Sequence, residues 1–303
     1  MDIKSKIILI AGPTASGKSF FAVKLAKKIN GEIINADSMQ VYKELRVLTA
    51  RPEKKNKKNI THHLYGFQSV KKNFSTGQWL MHAKKKIKEI QKKNKIPILV
   101  GGTGLYFKAI TEGLVKIPKI PLKLRNEIRD LQKKLGQDEF YKKLIKLDPL
   151  VKNKINPNDP QRSIRAFEVK KYSKVSLIEW FKKTDKKFED EDFLKIYIEV
   201  SRPDLIERIN RRVHEMFRNG AIHEVKGFLK IKVKNDKSPN KIIGIKEIDK
   251  FLMGEYDLRT VKDLISIKTR QYAKRQSTWA RGQMKNWQKI NPGDLDKFLK
   301  KIN

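Results

Sequence analysis

The sequence predicts an α/β protein: a parallel, doubly wound sheet at the core, with a helical insertion. Three observations carry that expectation. Short β-branched runs alternate with helical patterns, the runs end in turns bearing glycine or an acid, and a lysine-rich stretch without strand candidates interrupts the alternation.

The first run, Lys6 to Ala11 (KIILIA), leads into the glycine loop Gly12 to Ser19 and then the helical pattern of Phe20 to Ile29. A second run, Glu32 to Asn35, ends at Ala36-Asp37-Ser38, and a third, Ile96 to Val100, ends at Gly101-Gly102-Thr103-Gly104. Between them Leu80, Ala83, Ile87 and Ile90 recur at helical spacing. Ligands in such sheets bind at the carboxyl ends of the strands, where Asp37, Thr103 and the glycine loop all fall. The polar run Glu53 to Asn59 is expected as an exposed loop.

After Pro118 and Pro121 the chain turns to lysine-rich helical segments. Asp159-Pro160 reads as a helix start, Asp as N-cap and Pro in the first turn, which sets Arg162 and Arg165 one turn apart on one face. Phe193 to Val200 returns to strand alternation. Pro203 to Phe217 then reads as a helix with Ile206, Ile209, Val213 and Met216 inward, closed by Gly220. Val261 to Trp287 reads as one long amphipathic helix that carries Lys268, Arg270, Lys274, Arg275 and Arg281. Its aromatics Tyr272, Trp279 and Trp287 are expected to pack inward. The expected domains are therefore residues 1–118 with 188–303 as the core and 119–187 as the insertion.

Lys and Arg number 70 against 33 Asp and Glu, a formal charge of +37 that points to a polyanionic partner. Exposed lysine on many helix faces is the alternative source of that excess. With no cysteine, disulfides, thiolate metal sites and cysteine nucleophiles are excluded. His62 and His63 are adjacent and on a strand would point to opposite faces, so they are not expected to share a metal. No apolar run reaches bilayer length, and an apolar strand begins by Ile7, so a cytoplasmic protein without membrane association is expected.

The chemistry begins at Gly12-x4-Gly17-Lys18-Ser19, the phosphate-loop pattern in its confirming context of strand, loop and helix. Glycines let successive backbone N–H groups converge on phosphate oxygens, Lys18 adds a charge, and Ser19 can ligate Mg²⁺. The loop does not name the molecule that carries the phosphates. A kinase would also need a strand ending in an acid for its metal. The Ile98-Leu99-Val100 strand ends in glycines, so Asp37 is the one acid at a strand end near the loop. Asp37 could serve as metal ligand, as general base or as the cap of a following helix.

Five segments resemble, in order, the motifs of the tRNA dimethylallyltransferase family: GPTASGKS from Gly12, NADSMQVY from Asn35, VGGTGLYFKA from Val100, PNDPQRSIR from Pro157 and TRQYAKRQSTWARG from Thr269. They span nearly the full chain. The resemblance implies a P-loop kinase-like core, a helical insertion that grips the anticodon arm, and a channel between them. It implies transfer of a dimethylallyl group from its diphosphate to N6 of the adenosine 3′ of the anticodon, assisted by Mg²⁺.

By that resemblance Gly12, Pro13, Thr14, Ala15, Ser16, Gly17, Lys18 and Ser19 hold the diphosphate, with Ser19 also on the metal. Asp37 is the general base, and Thr103 and Arg212 assist the leaving group. Asp37, Ser38, Met39, Gln40, Thr103, Arg125, Gln161, Arg162, Ser163, Ile164, Arg165, Lys241, Lys246, Lys274, Arg275, Gln276 and Arg281 match segments that contact tRNA. A monomer is expected. Tyr65-Gly66 departs from an acidic residue common in the family, and Lys241 to Lys246 is only loosely similar. Competing readings are a P-loop kinase of a small metabolite, an enzyme prenylating free adenine nucleotides, and a basic RNA-binding module regulated by its loop. The basic insertion and C-terminal helix argue against the first two, because a small acceptor requires neither.

Overall fold

The computed structural model describes residues 6–53, 59–182, 184–234 and 237–302. The chain divides into two compact units, Met1–Thr111 with Phe188–Asn303, and Glu112–Lys187. Among the described residues there are eight strands: β1 (Ile7–Ala11), β2 (Gly31–Asn35), β3 (His62–His63), β4 (Ile96–Gly101), β5 (Leu114–Val115), β6 (Thr184–Asp185), β7 (Phe193–Ile198) and β8 (Gln288–Ile290). Six of them form one sheet in the order β3-β2-β4-β1-β7-β8, with every neighbouring pair parallel.

Strands β1, β2 and β4 are buried at every position, which is why β1 and β4 read as apolar runs, while β2 also buries Glu32 and Asn35. On one face Ile8, Ile10, Ile98 and Val100 pack with Phe21 and Leu25 of α1 (Lys18–Lys28). A second core gathers α7 (Arg202–Arg218), α8 (Ala221–Lys230), α9 (Ile245–Leu252) and α10 (Leu258–Gln283) around Ile209, Val213, Val225, Ile248 and Ile265. Helices α2 (Thr76–Gln91) and α3 (Gly104–Glu112) precede and follow β4, and α11 (Leu295–Lys301) closes the chain. Ser75 and Gln78 make the capping box that starts α2.

The second unit holds α4 (Leu122–Leu147), α5 (Pro160–Ser173), α6 (Leu177–Phe181) and the antiparallel pair β5-β6. Its own core joins Tyr141, Leu144, Val151, Ala166 and Val169. Gly136, at φ 73°, breaks α4 into two. Asp159 caps α5 by accepting from Arg162 N–H at 3.0 Å, with Pro160 in the first turn.

The long C-terminal helix is shorter than its sequence pattern. It ends at Gln283, and Trp287 lies beyond it, edge-on to Phe107 at 5.3 Å. The chain leaves the helix because β8, which begins at Gln288, pairs with the edge of β7. Positions 54–58 of the polar run Glu53–Asn59 lie outside the described residues. Among the described residues no helix is long and apolar enough to cross a membrane.

Candidate active site

The loop after β1 is braced from three directions. Ser16 N–H and the Lys18 ammonium both donate to the Pro13 carbonyl, at 3.2 and 3.1 Å. From α7, Arg208 donates to the Ser16 carbonyl at 3.3 Å and Arg212 to the Thr14 hydroxyl at 2.8 Å. From α10, the Gln276 carbonyl accepts from Thr14 N–H at 2.8 Å. The Ser16 hydroxyl is buried, with no hydrogen-bond partner among the described residues. Burial pushes the Lys18 ammonium down to about 8, against the opposing pull of Asp37 and with the repulsion of Arg212. Arg212 is lowered by burial too, with Asp37 pulling the other way.

Parallel register between β2 and β4 pairs Asn35 with Val100 and brings the two strand ends together. Beyond them Ala36 N–H donates to Val100 and Thr103 N–H to Ala36, at 2.8 and 3.2 Å. Asn35 sets the Asp37 turn: its carbonyl accepts from Asp37 N–H, and its amide donates to the Asp37 and Leu64 carbonyls. The Trp79 indole donates to Asn35 O at 2.8 Å and stacks on Tyr106 at 4.1 Å. Among the described residues no helix starts at Asp37 or in the turn after it. Its carboxylate accepts from Met39 N–H at 2.9 Å, closing a turn rather than capping a helix. Burial first, and then the charge of Asp37, raise the phenols of Tyr65, Tyr106 and Tyr272.

A cavity of about 430 Å³ joins these two sides. Thr14, Lys18, Ser19 and Arg212 line it with Asp37, and Met39, Leu48, Val213, Ile243 and Ile265 give it an apolar wall. Tyr272 lines this cavity and takes Arg275 over its ring at 5.8 Å, so it is a site wall rather than core. A larger cavity of about 700 Å³, lined by Lys24, Arg46, Arg51 and Glu215, shares Ser19 and Arg212 with it. The apolar wall depends on the loop at Arg46–Leu48, whose three N–H groups donate to the Glu224 carboxylate at 2.6, 2.7 and 2.9 Å.

Gln40, Lys241 and Arg275 also line the smaller cavity. The Gln40 amide donates to the carbonyls of Thr49 and Ala50, and Thr103 accepts from Ser38 N–H at 2.9 Å. Lys246, Lys274 and Arg281 are exposed. In the second unit Gln161 and Arg162 are exposed and Ser163 is buried, its hydroxyl donating to Asp159 O at 2.8 Å. Ile164 is half-buried there, and Arg125 and Arg165 flank the buried Glu168 at 3.5 and 3.3 Å. The sequence alone marks no role for Asn35, Trp79, Arg208 or Glu224. Asn35 was within reach as the residue two before a strand-end acid, an Asx-turn position; the others act across the fold and leave no local mark.

Among the described residues no cluster of three or more His, Asp or Glu could cage a metal. The Ser19 hydroxyl on the cavity wall is a single oxygen donor, which suits a hard cation that keeps its waters and arrives with phosphate oxygens.

Residues 40–283 match the family profile described as IPP transferase. The chain is 62% identical to a tRNA dimethylallyltransferase of Pelagibacter ubique, over 100% of this chain and 96% of the other. It is 44% identical to one from Rickettsia massiliae, over 93% and 78%. Among solved structures, a tRNA isopentenylpyrophosphate transferase of Bacillus halodurans superposes with a TM-score of 0.69 at 31% identity, covering 98% of this chain and 95% of that one. A eukaryotic dimethylallyltransferase, solved acting on tRNA, superposes with a TM-score of 0.82 at 29% identity, covering 97% and 75%.

Proposed function

The chain belongs to the IPP transferase family, and from that premise we propose how its residues carry a dimethylallyl group from dimethylallyl diphosphate to the N6 amine of the adenosine 3′ of the anticodon. It is a tRNA-prenylating enzyme on a P-loop kinase-like sheet. The observation that carries the mechanism is one cavity holding a carboxylate, Asp37, together with the anion-binding loop, Lys18 and Arg212.

The adenine amine is a weak nucleophile because its lone pair is delocalised into the ring. Asp37 takes the N6 proton as the bond from N6 to C1 of the prenyl group forms and the C1–O bond breaks. Charge gathers on the departing diphosphate, where the loop amides, Lys18 and Arg212 meet it. Mg²⁺, when bound beside Ser19, would neutralise part of that charge. The apolar wall from Met39 to Ile265 shields the allylic carbon from water.

A base stacked in an anticodon loop cannot enter such a cavity, so the target nucleotide must flip out. The cations Lys274, Arg275 and Arg281 on α10, with Arg125, Arg162 and Arg165 on the second unit, are the proposed backbone contacts. We read the protein as a monomer acting in the cytoplasm.

The decisive experiment combines the purified protein with Mg²⁺, labelled dimethylallyl diphosphate and unmodified tRNA, without ATP, and analyses the digested nucleosides. N6-dimethylallyl adenosine is the expected product. No label on tRNA, with turnover of ATP or label on AMP in parallel reactions that contain either nucleotide, would overturn the mechanism.

A further inference from the structure

The side-chain amide of Gln276 bonds to backbone at both its oxygen and its nitrogen. Its Oε1 accepts from Thr14 N–H at 2.8 Å, and its Nε2 donates to the Gly102 carbonyl at 2.9 Å. The two backbone groups leave only this orientation of the amide, since the reverse would set donor against donor and acceptor against acceptor. They sit in the loops that follow β1 and β4, which are neighbouring strands of the sheet. One loop carries the phosphate-binding residues and the other carries Thr103.

The approach is close enough to constrain residue type. A Cβ at Gly102 would stand 2.2 Å from Gln276 Nε2, and one at Gly104 would stand 2.3 Å from the Trp279 ring. Gln276 and Trp279, three apart on one face of α10, therefore dock on alternate glycines of the Gly-Gly-Thr-Gly turn.

Two relays lead outward from the bridge. Thr14 accepts from Arg212 through its hydroxyl, on the diphosphate side. Gly102 precedes Thr103, whose N–H donates to Ala36 O and whose hydroxyl accepts from Ser38 N–H, on either side of Asp37. A single amide thus registers the loop that holds the leaving group against the turn that holds the base.

We propose that Gln276 is a positioning residue, holding the diphosphate loop in register with the Asp37–Thr103 side, and that its amide serves this backbone bridge rather than a tRNA group. The proposal rests on the reading of the loop as the diphosphate site. It reassigns one residue of a tRNA-contacting segment while leaving the exposed cations Lys274, Arg275 and Arg281 in that role.

The test compares Gln276→Met, which keeps side-chain length and packing but neither hydrogen bond, with Gln276→Glu. The latter keeps the acceptor for Thr14 N–H, loses the donor to Gly102 and sets a negative charge beside the anion loop. For Gln276→Met, kcat should fall roughly 10- to 100-fold, as expected when reacting groups are displaced by about 1 Å. The tRNA Kd should stay within about twofold, because no transition-state-independent contact is lost. For Gln276→Glu, the KM for dimethylallyl diphosphate should rise as well, and binding of inorganic pyrophosphate without tRNA should weaken.

A weaker tRNA Kd with kcat unchanged at saturating tRNA would make Gln276 a tRNA contact and overturn the proposal, as would wild-type values throughout. Should Gln276→Met not fold, Gln276→Glu decides by the same readouts. A wild-type protein that transfers no prenyl group to tRNA refutes the functional reading instead, so the two failures are distinct.

Discussion

Arg212 donates to the hydroxyl of Thr14 at 2.8 Å, across 198 residues of sequence. The bond places a guanidinium from the middle of α7 over the phosphate loop, where burial and the opposing charge of Asp37 both act on it. A planar donor fork can hold Thr14 and still present N–H groups to a diphosphate, which a single ammonium cannot do in the same geometry. Arg212→Lys should therefore raise the KM for dimethylallyl diphosphate about tenfold, the worth of one charge-assisted hydrogen bond. Steady-state kinetics at saturating tRNA check this; an unchanged KM would remove Arg212 from the diphosphate site.

Lys18 gives a pH dependence with a definite sign. The folded protein releases its proton at about 8, whereas the unfolded chain holds it to 10.5. Between those values the unfolded state binds more protons, so this group's contribution to stability improves as pH rises from about 8 towards 10.5. Function runs the other way. Above about 8 the free protein loses the ammonium, and kcat/KM for the diphosphate should fall along that limb. Lys18→Arg, charged throughout, should move the limb out of the measured range. A pH profile of kcat/KM that falls at the same place in both proteins would assign it to another group.

Asp37 is proposed as the base, a role in chemistry that its exchange should separate from binding. Asp37→Asn keeps the side-chain oxygen that accepts from Met39 N–H, so the turn should persist. It removes the base, and kcat should fall by a factor of about 10² to 10⁴ with little change in tRNA affinity. Filter binding and single-turnover kinetics on one preparation separate the two. Parallel loss of tRNA affinity and rate would sink the general-base role.

The parts of this arrangement that can be read from the sequence are those whose cause is local. β1 and β4 are apolar runs because both their faces are buried, and the phosphate loop and Asp37 sit in motifs, whereas Arg212 lies outside the five motif segments and is matched only by resemblance. β3 and β8, of two and three residues, are strands only because a neighbouring edge recruits them, and His62-His63 carries no apolar signal. The apolar period of the long helix runs four residues past its end at Gln283, because Met284 and Trp287 continue it while β7 draws the chain away. Bonds such as Trp79 to Asn35, or Gln276 to Thr14 across 262 residues, depend on the folded chain and have no spacing to betray them.

Glu224 belongs to the same class. Its carboxylate accepts from three successive N–H groups, those of Arg46, Val47 and Leu48, and so fixes the loop whose Leu48, Thr49 and Ala50 form part of the cavity wall. Glu224→Ala leaves those donors without a partner and should cost about 2–3 kcal/mol in stability. Denaturant unfolding measures that loss. The KM for the diphosphate should rise as the wall loosens, while a protein of native stability and KM would show that the loop holds itself.

Lys274 and Arg275 provide the last test, because they separate charge from shape. Both are exposed on α10, and Arg275 also lies over the Tyr272 ring at the cavity edge. If each meets one phosphate of the tRNA, replacing either by alanine should lower the slope of log Kd against log salt by about 1 in magnitude, a counterion released per contact. The two should differ at saturating tRNA. Lys274→Ala removes a phosphate contact alone and should leave kcat intact. Arg275→Ala also uncovers Tyr272 and should slow transfer. Identical salt slopes in wild type and both variants would mean that the basic face of α10 points away from the tRNA backbone, and the positive charge of this chain would then have to act through cations elsewhere, such as Lys241 and Lys246 or Arg162.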